Sequence, residues 1–274
     1  MDTFELSIKV EPKTPWTDVV IAQLSELGFD SFVQTDDGLQ AYTQEELNPE
    51  EILNQTTLAG SDANWSYEWK RIPHQNWNAQ WEADFLPVFV EEYASIIAPF
   101  HDVEVKGMRV IIQPQMSFGT GHHQTTWMMT KALFELDSIP SKVLDMGAGT
   151  GVLAIVAEKL GAKDILAVDI EPWSAENVSE NAERNECSKI RSICGDIDAI
   201  DEEGFGLILA NINKNVLRSH MAEYYRLMQN GATLLLSGFF VSDREELVTF
   251  CSELHLTFEQ ALEREGWTAL QFRK

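Results

Sequence analysis

Cysteine is scarce in this sequence: Cys187, Cys194 and Cys251 are its only three, and no two of them stand in CxxC spacing. That argues against a disulfide framework or a zinc knuckle and suits a reducing, cytoplasmic setting. Basic residues are also few, 20 Lys and Arg against 44 Asp and Glu, for a formal charge of -24. A nucleic-acid surface needs clustered Lys and Arg, so direct nucleic-acid binding is not expected. The acidity suits a basic protein partner, or serves solubility alone. No run of about 18 apolar residues occurs and no apolar signal-type core is present, so neither membrane spanning nor export is expected.

Three of the sixteen glycines, by contrast, stand at alternate positions in one short stretch. Val143 to Gly151 read VLDMGAGTG, an apolar strand ending in an acid, then glycines at alternate positions, followed by the apolar run Val152 to Leu160. Gly147, Gly149 and Gly151 suit a sharp strand-to-helix turn where a ligand lies against bare backbone. A GxGxxG turn would aim a helix N-terminus at a pyrophosphate. Here Asp145 precedes the glycines; it would repel a pyrophosphate and attract the cationic methionyl end of S-adenosylmethionine. Asp169 closes the next apolar run, Ile165 to Ile170, about twenty residues beyond the turn, which suits a carboxylate holding both ribose hydroxyls. A nicotinamide cofactor and a plain turn without ligand are the competing readings.

Alternation at Phe4, Leu6, Ile8 and Val10 predicts a half-buried strand, and helical spacing from Thr17 to Leu27 follows, ending at Gly28. Asp36-Asp37-Gly38 predicts a hairpin, Pro49 to Leu58 a second helix and Trp65 to Ile72 a further strand, an order resembling a split βαβ sheet. Four of the eight tryptophans, Trp65, Trp69, Trp77 and Trp81, crowd the stretch that follows. They staple a connector against its neighbours or contact substrate. Beyond Lys106, short apolar runs at 143–146, 165–170, 190–194, 207–210 and 233–237 alternate with helical segments, as in a parallel sheet covered on both faces. The runs at 256–262 and 268–272 predict an antiparallel pair that finishes the sheet, as in methyltransferases and not dehydrogenases.

Ligands of such sheets lie at the carboxyl ends of the strands. The candidate cofactor contacts are therefore Asp145, Gly147, Gly149, Gly151, Asp169 with Ile170, Asp196 and Asn211. Asp196 accepts the adenine amino group or caps a helix. Asn211 offers its carbonyl oxygen to an amine nucleophile, with the backbone carbonyl beside it at Ile212 as a second acceptor, or else caps the following helix. Two acceptors orient the nitrogen lone pair toward the methyl group, making Asn211 and Ile212 the catalytic candidates. A second glycine-rich stretch, Phe118 to Thr126, opens a helix rich in Met and aromatics. Thr125 or Thr126 there is placed to hydrogen-bond the cofactor carboxylate. Adjacent His122 and His123 diverge and lack a third ligand, so no metal is expected.

FGTGHHQTT at 118–126, LDMGAGTGVLAI at 144–155, AVDIEP at 167–172, ENAERN at 180–185, ANI at 210–212, LSG at 236–238 and EGW at 265–267 run in the order of a known family. They closely resemble the ribosomal protein methyltransferases of the PrmA type, as does the NW..W...F.P pattern at Asn76 to Pro87. The resemblance implies an α/β architecture: a class I S-adenosylmethionine-dependent methyltransferase domain, Rossmann-like with a seven-stranded sheet, behind a small N-terminal α+β ferredoxin-like domain. Residues 1–60 would be the ferredoxin-like substrate-recognition domain, 61–100 a flexible connector and 101–274 the catalytic domain. It further implies repeated methylation of lysine side-chain and N-terminal amines on the eleventh protein of the large ribosomal subunit, free or ribosome-associated. By motif position Phe118, Thr126, Gly147, Asp169 and Asn211 fall among the cofactor contacts. A methyltransferase for another protein or a small amine, or a non-catalytic cofactor-binding ribosome-assembly module, are the alternatives. The chain departs from the family pattern at Gln113 to Met116, at Gln124 and at Asn213-Lys214.

Overall fold

A computed structural model describes residues 2–73, 85–114 and 119–274. Phe118, Trp77 and Trp81, named above as candidates, lie outside the described residues. The chain divides into two compact units, 1–84 and 85–274.

In the first unit, β1 (Thr3–Glu11), α1 (Lys13–Glu26), β2 (Ser31–Thr35), β3 (Gly38–Thr43), α2 (Pro49–Asn54) and β4 (Asn64–Ile72) form a four-stranded sheet of order β2-β3-β1-β4. Every pairing in it is antiparallel. Period-2 alternation sends Phe4, Leu6, Ile8 and Val10 inward, where Leu6, Ile8 and Val10 meet Val20 and Leu24 of α1. Trp69 of β4 stacks on Phe4 with ring centroids 5.5 Å apart and meets Phe29 edge-on at 6.3 Å. Trp65 and Trp69 therefore pack against the core of this unit. The stretch expected as a connector, 61–100, is divided: its first part supplies β4 to this sheet, and its last part supplies strands to the second unit.

Those strands, β5 (Val88–Val90) and β6 (Ala94–Ile97), join β7 (Met108–Ile111) in a three-stranded sheet that the sequence did not announce. Runs of three or four residues are too short to show a period.

The second unit is dominated by a seven-stranded sheet. In chain order it comprises α3 (Gln124–Glu135), β8 (Lys142–Met146), α4 (Val152–Lys159), β9 (Asp164–Asp169), α5 (Pro172–Arg184), β10 (Ile190–Cys194), β11 (Phe205–Asn211), α6 (Lys214–Leu227), β12 (Met228–Phe240), α7 (Arg244–Glu253), β13 (Thr257–Arg264) and β14 (Trp267–Arg273). The strand order is β10-β9-β8-β11-β12-β14-β13. Five strands are parallel, and β14 runs antiparallel to both β12 and β13. Alternate residues face opposite layers: Val143, Ile165 and Leu207 join one core cluster, while Leu144, Leu166 and Ile208 join the other. Burial on both faces explains why these strands read as continuous apolar runs. After β8 the chain winds outward through β9 and β10, then returns to place β11 on the other side of β8. The switch in strand order thus falls between the ends of β8 and β11.

Candidate active site

A cavity of about 550 Å³ opens at that switch. It is within the size range of pockets that take a small molecule. Gly147, Gly149, Asp169, Ile170, Asp196, Asn211, Ile212 and Thr125, all expected from the sequence, line it.

The glycine turn is built by its own backbone. Gly147 and Ala148 donate to the Val168 carbonyl at 2.8 and 3.1 Å. Gly147 has φ +74, and an added Cβ would stand 2.1 Å from Cγ2 of Ile212, so the 211–212 segment lies directly over it. Gly238 does the same from β12: at φ +101 its added Cβ would stand 2.2 Å from the Ile212 carbonyl oxygen. Asp169 binds the turn through both oxygens, Oδ2 accepting from the Gly149 N–H at 2.8 Å and Oδ1 from the Glu171 N–H at 3.0 Å. A carboxylate has about four acceptor positions, so this anchoring leaves lone pairs for a diol.

Buried amides brace the same turn from behind. Asn181 of α5 donates to the Thr150 carbonyl at 3.0 Å and accepts from Gln113 N–H at 2.9 Å. Asn185 clasps both backbone groups of Ile111, at 2.9 and 2.6 Å. These amides give the ENAERN segment a structural task.

Three expected contacts do not reach the cavity. Asp145 is 1% exposed and turned away, its Oδ2 accepting from the Ala154 N–H of α4 at 3.1 Å. Alternation along β8 puts it on the same side as Val143, beneath the helix, so the attraction to a sulfonium expected from the sequence is replaced by capping of α4. Burial pushes its carboxyl up to about 7, opposed by the Ala154 hydrogen bond. Gly151 is the left-handed N-cap of α4, close to Val178; its missing side chain lets α4 and α5 approach. Thr126 is fully buried and receives the Asn211 amide at 3.4 Å, so it braces Asn211.

Asn211 is not a helix cap; that task falls to Asn213, whose side chain accepts from the Val216 N–H at 3.2 Å. The Asn211 Oδ1 is buried, with no hydrogen-bond partner among the described residues. Asp196 does cap a short 3-10 turn, accepting from Ile197 N–H at 2.7 Å through Oδ1, and still faces the cavity. Thr125 lines the cavity with its hydroxyl 2.7 Å from His123 Nδ1.

His123, Gly238 and Trp267, which stand in the motifs quoted above without a cavity role, also line it, as do Trp173 and His220, which had no local signal. His123, the N-cap of α3, meets Trp267 edge-on at 4.5 Å, and Trp267 lies 4.2 Å from Phe240. Burial holds the His123 imidazole below the ordinary histidine range. It is therefore neutral near pH 7 and adds no positive charge to this wall. His122 points elsewhere, to the Leu86 carbonyl at 2.6 Å. Two of the departures from the family pattern have partners: Gln124 bonds Glu265 at 2.7 Å across to the β13–β14 turn, and Lys214 pairs with Asp243 and Glu246.

A parallel sheet closed by an antiparallel pair, with a glycine turn and a diol-ready acid at its switch point, defines a class I S-adenosylmethionine-dependent methyltransferase. The cavity fits that cofactor: its wall carries bare backbone at Gly147 and Gly149, a carboxylate at Asp169 with lone pairs left over, and the Asn211 side chain beside them. Residues 16–274 match the family model described as ribosomal protein L11 methyltransferase (PrmA), and the chain belongs to that family. The chain is 41% identical to the ribosomal protein L11 methyltransferase of Porphyromonas gingivalis, over 98% of its own length and 95% of the relative's. It is 37% identical to that of Bacteroides fragilis, covering 99% of both. The crystal structure of a ribosomal protein L11 methylase from Lactobacillus delbrueckii subsp. bulgaricus superposes with a TM-score of 0.65 at 25% identity, covering 69% of this chain and all of that one.

Proposed function

We propose that this enzyme methylates lysine side-chain and N-terminal amines of ribosomal protein L11, in the cytoplasm, with the first unit recognising the substrate. The observation that carries the amine chemistry is Asn211, a residue of the switch-point cavity whose buried Oδ1 has no hydrogen-bond partner among the described residues. Bound S-adenosylmethionine supplies a methyl group activated by a sulfonium. Gly147 and Gly149 give it bare backbone, Asp169 its ribose acceptors, Ile170 and Trp173 apolar cover, and Asp196 an acceptor for the adenine amino group. Thr125 faces the methionyl end.

A neutral amine has two N–H groups and one lone pair. The Asn211 Oδ1 and the Ile212 carbonyl accept the two N–H groups, which aims the lone pair. Desolvation against Trp267 and His123 favours loss of the amine's proton beforehand. The formal charge of -24 favours encounter with a basic ribosomal protein.

Intact-mass spectrometry of purified L11, incubated with the enzyme and S-adenosylmethionine, is expected to show stepwise methyl additions that map to lysines and the N-terminus. An unmodified L11, alongside methylation of a small amine in the same extract, would refute the substrate assignment.

A further inference from the structure

The buried face of α6 carries Leu217, Met221, Tyr224 and Leu227 at helical spacing, and one polar side chain among them, His220, which is 7% exposed and reaches the cavity wall. Its Nε2 lies 3.2 Å from Asp196 Oδ1, and its Nδ1 lies 3.4 Å from the Tyr224 hydroxyl. Tyr224 is fully buried, and burial together with the Asp196 charge pushes its phenol well above the usual range. The phenol therefore stays protonated beside Nδ1, and Nε2 is the ring nitrogen that faces Asp196. Asp196 Oδ1 accepts from the Ile197 N–H at 2.7 Å and lies within ion-pair distance of His220 Nε2. Backbone donor and imidazole thus sit against one oxygen of an otherwise half-exposed carboxylate, and among the described residues Oδ2 takes no hydrogen bond.

We infer that His220 is a positioning residue that holds the Asp196 carboxylate ready for the exocyclic amino group of the cofactor's base, and so sets the preference for adenine. The inference rests on the assignment of Asp196 as adenine acceptor. A metal ligand orienting through its second shell follows the same logic, in that a fixed partner determines where the acceptor points.

Calorimetry with S-adenosylhomocysteine, and with its analogue carrying hydrogen in place of the 6-amino group, measures what the amino group contributes. The unaltered protein is expected to prefer the amino compound about tenfold, and Asp196→Ala to lose that preference. His220→Asn, whose amide nitrogen takes the place of Nδ1 and cannot reach Asp196, is expected to lose it as well. His220→Gln, whose nitrogen takes the place of Nε2, is expected to keep it. Affinity for the hydrogen analogue should move by no more than about twofold in both His220 variants, which separates lost orientation from a damaged cavity. His220→Leu serves as the non-donor should His220→Asn not fold. Loss in Asp196→Ala with retention in His220→Asn overturns the role of His220 alone. Retention in Asp196→Ala overturns the adenine assignment and this inference with it, and equal loss in His220→Asn and His220→Gln overturns the inference too.

Discussion

The ends of β8 and β9 and the end of β11 border one cavity, yet they are finished differently. At β8 and β9 the polar groups are matched: the Gly147 and Ala148 N–H groups on Val168, the Gly149 and Glu171 N–H groups on Asp169, and Ala154 on Asp145. At β11 the Asn211 Oδ1 is buried and, among the described residues, unmatched. A buried acceptor left unpaired costs about 1–3 kcal/mol, and a donor that arrives there relieves that cost. One side of the cavity is thus a finished cradle and the other a site that gains from an incoming N–H.

The contrast can be broken most severely at Asn211. Asn211→Ala is expected to lower single-turnover methylation of L11 by about 100-fold to 1000-fold, with the calorimetric Kd for S-adenosylhomocysteine changed by less than about threefold. Unchanged turnover would remove Asn211 from the chemistry. On the matched side the effect moves to binding: Asp169→Ala is expected to weaken S-adenosylhomocysteine about 50-fold, because it removes the diol acceptor and the anchor of Gly149 together.

The smallest effect concerns Asp145. Its unfolded carboxyl ionises near 4, and the folded one at about 7. Between those values the folded state holds the extra proton, so stability falls as pH rises through the window. Asp145→Asn removes that slope. Relative to the unaltered protein it is expected to gain about 2 kcal/mol in urea unfolding on going from pH 5 to pH 8, and a loss over that range would contradict the buried-acid assignment.

The residues explain what could be read from the sequence. The glycine turn, Asp169 and Asn211 were legible because each sits at the end of an apolar run, and strand ends on one edge of a parallel sheet converge by topology. Asp145 was misplaced for a reason the sequence did contain: it shares the parity of Val143, so the pleat turns it under α4 when the attraction of a carboxylate to a sulfonium suggested otherwise. His220 was not legible, and His123 and Trp267 stood in quoted motifs without a cavity role, since each reaches the cavity through packing between elements distant in the chain. Asn181 and Asn185 illustrate the same limit, for nothing local distinguishes a buried brace from an exposed helix amide. In the first unit, β4 was foreseen from its apolar and aromatic run.

Trp267 has a further consequence for the time course of synthesis. The cavity wall it forms with His123 joins positions far apart in the chain, and its strand pairs with β12 and β13 late in the order of elements. The amine wall therefore cannot exist until residue 267 has been translated and docked, a slow, non-local step. A chain in which residue 267 has not yet docked therefore carries the glycine turn but lacks the wall that Trp267 and His123 form together.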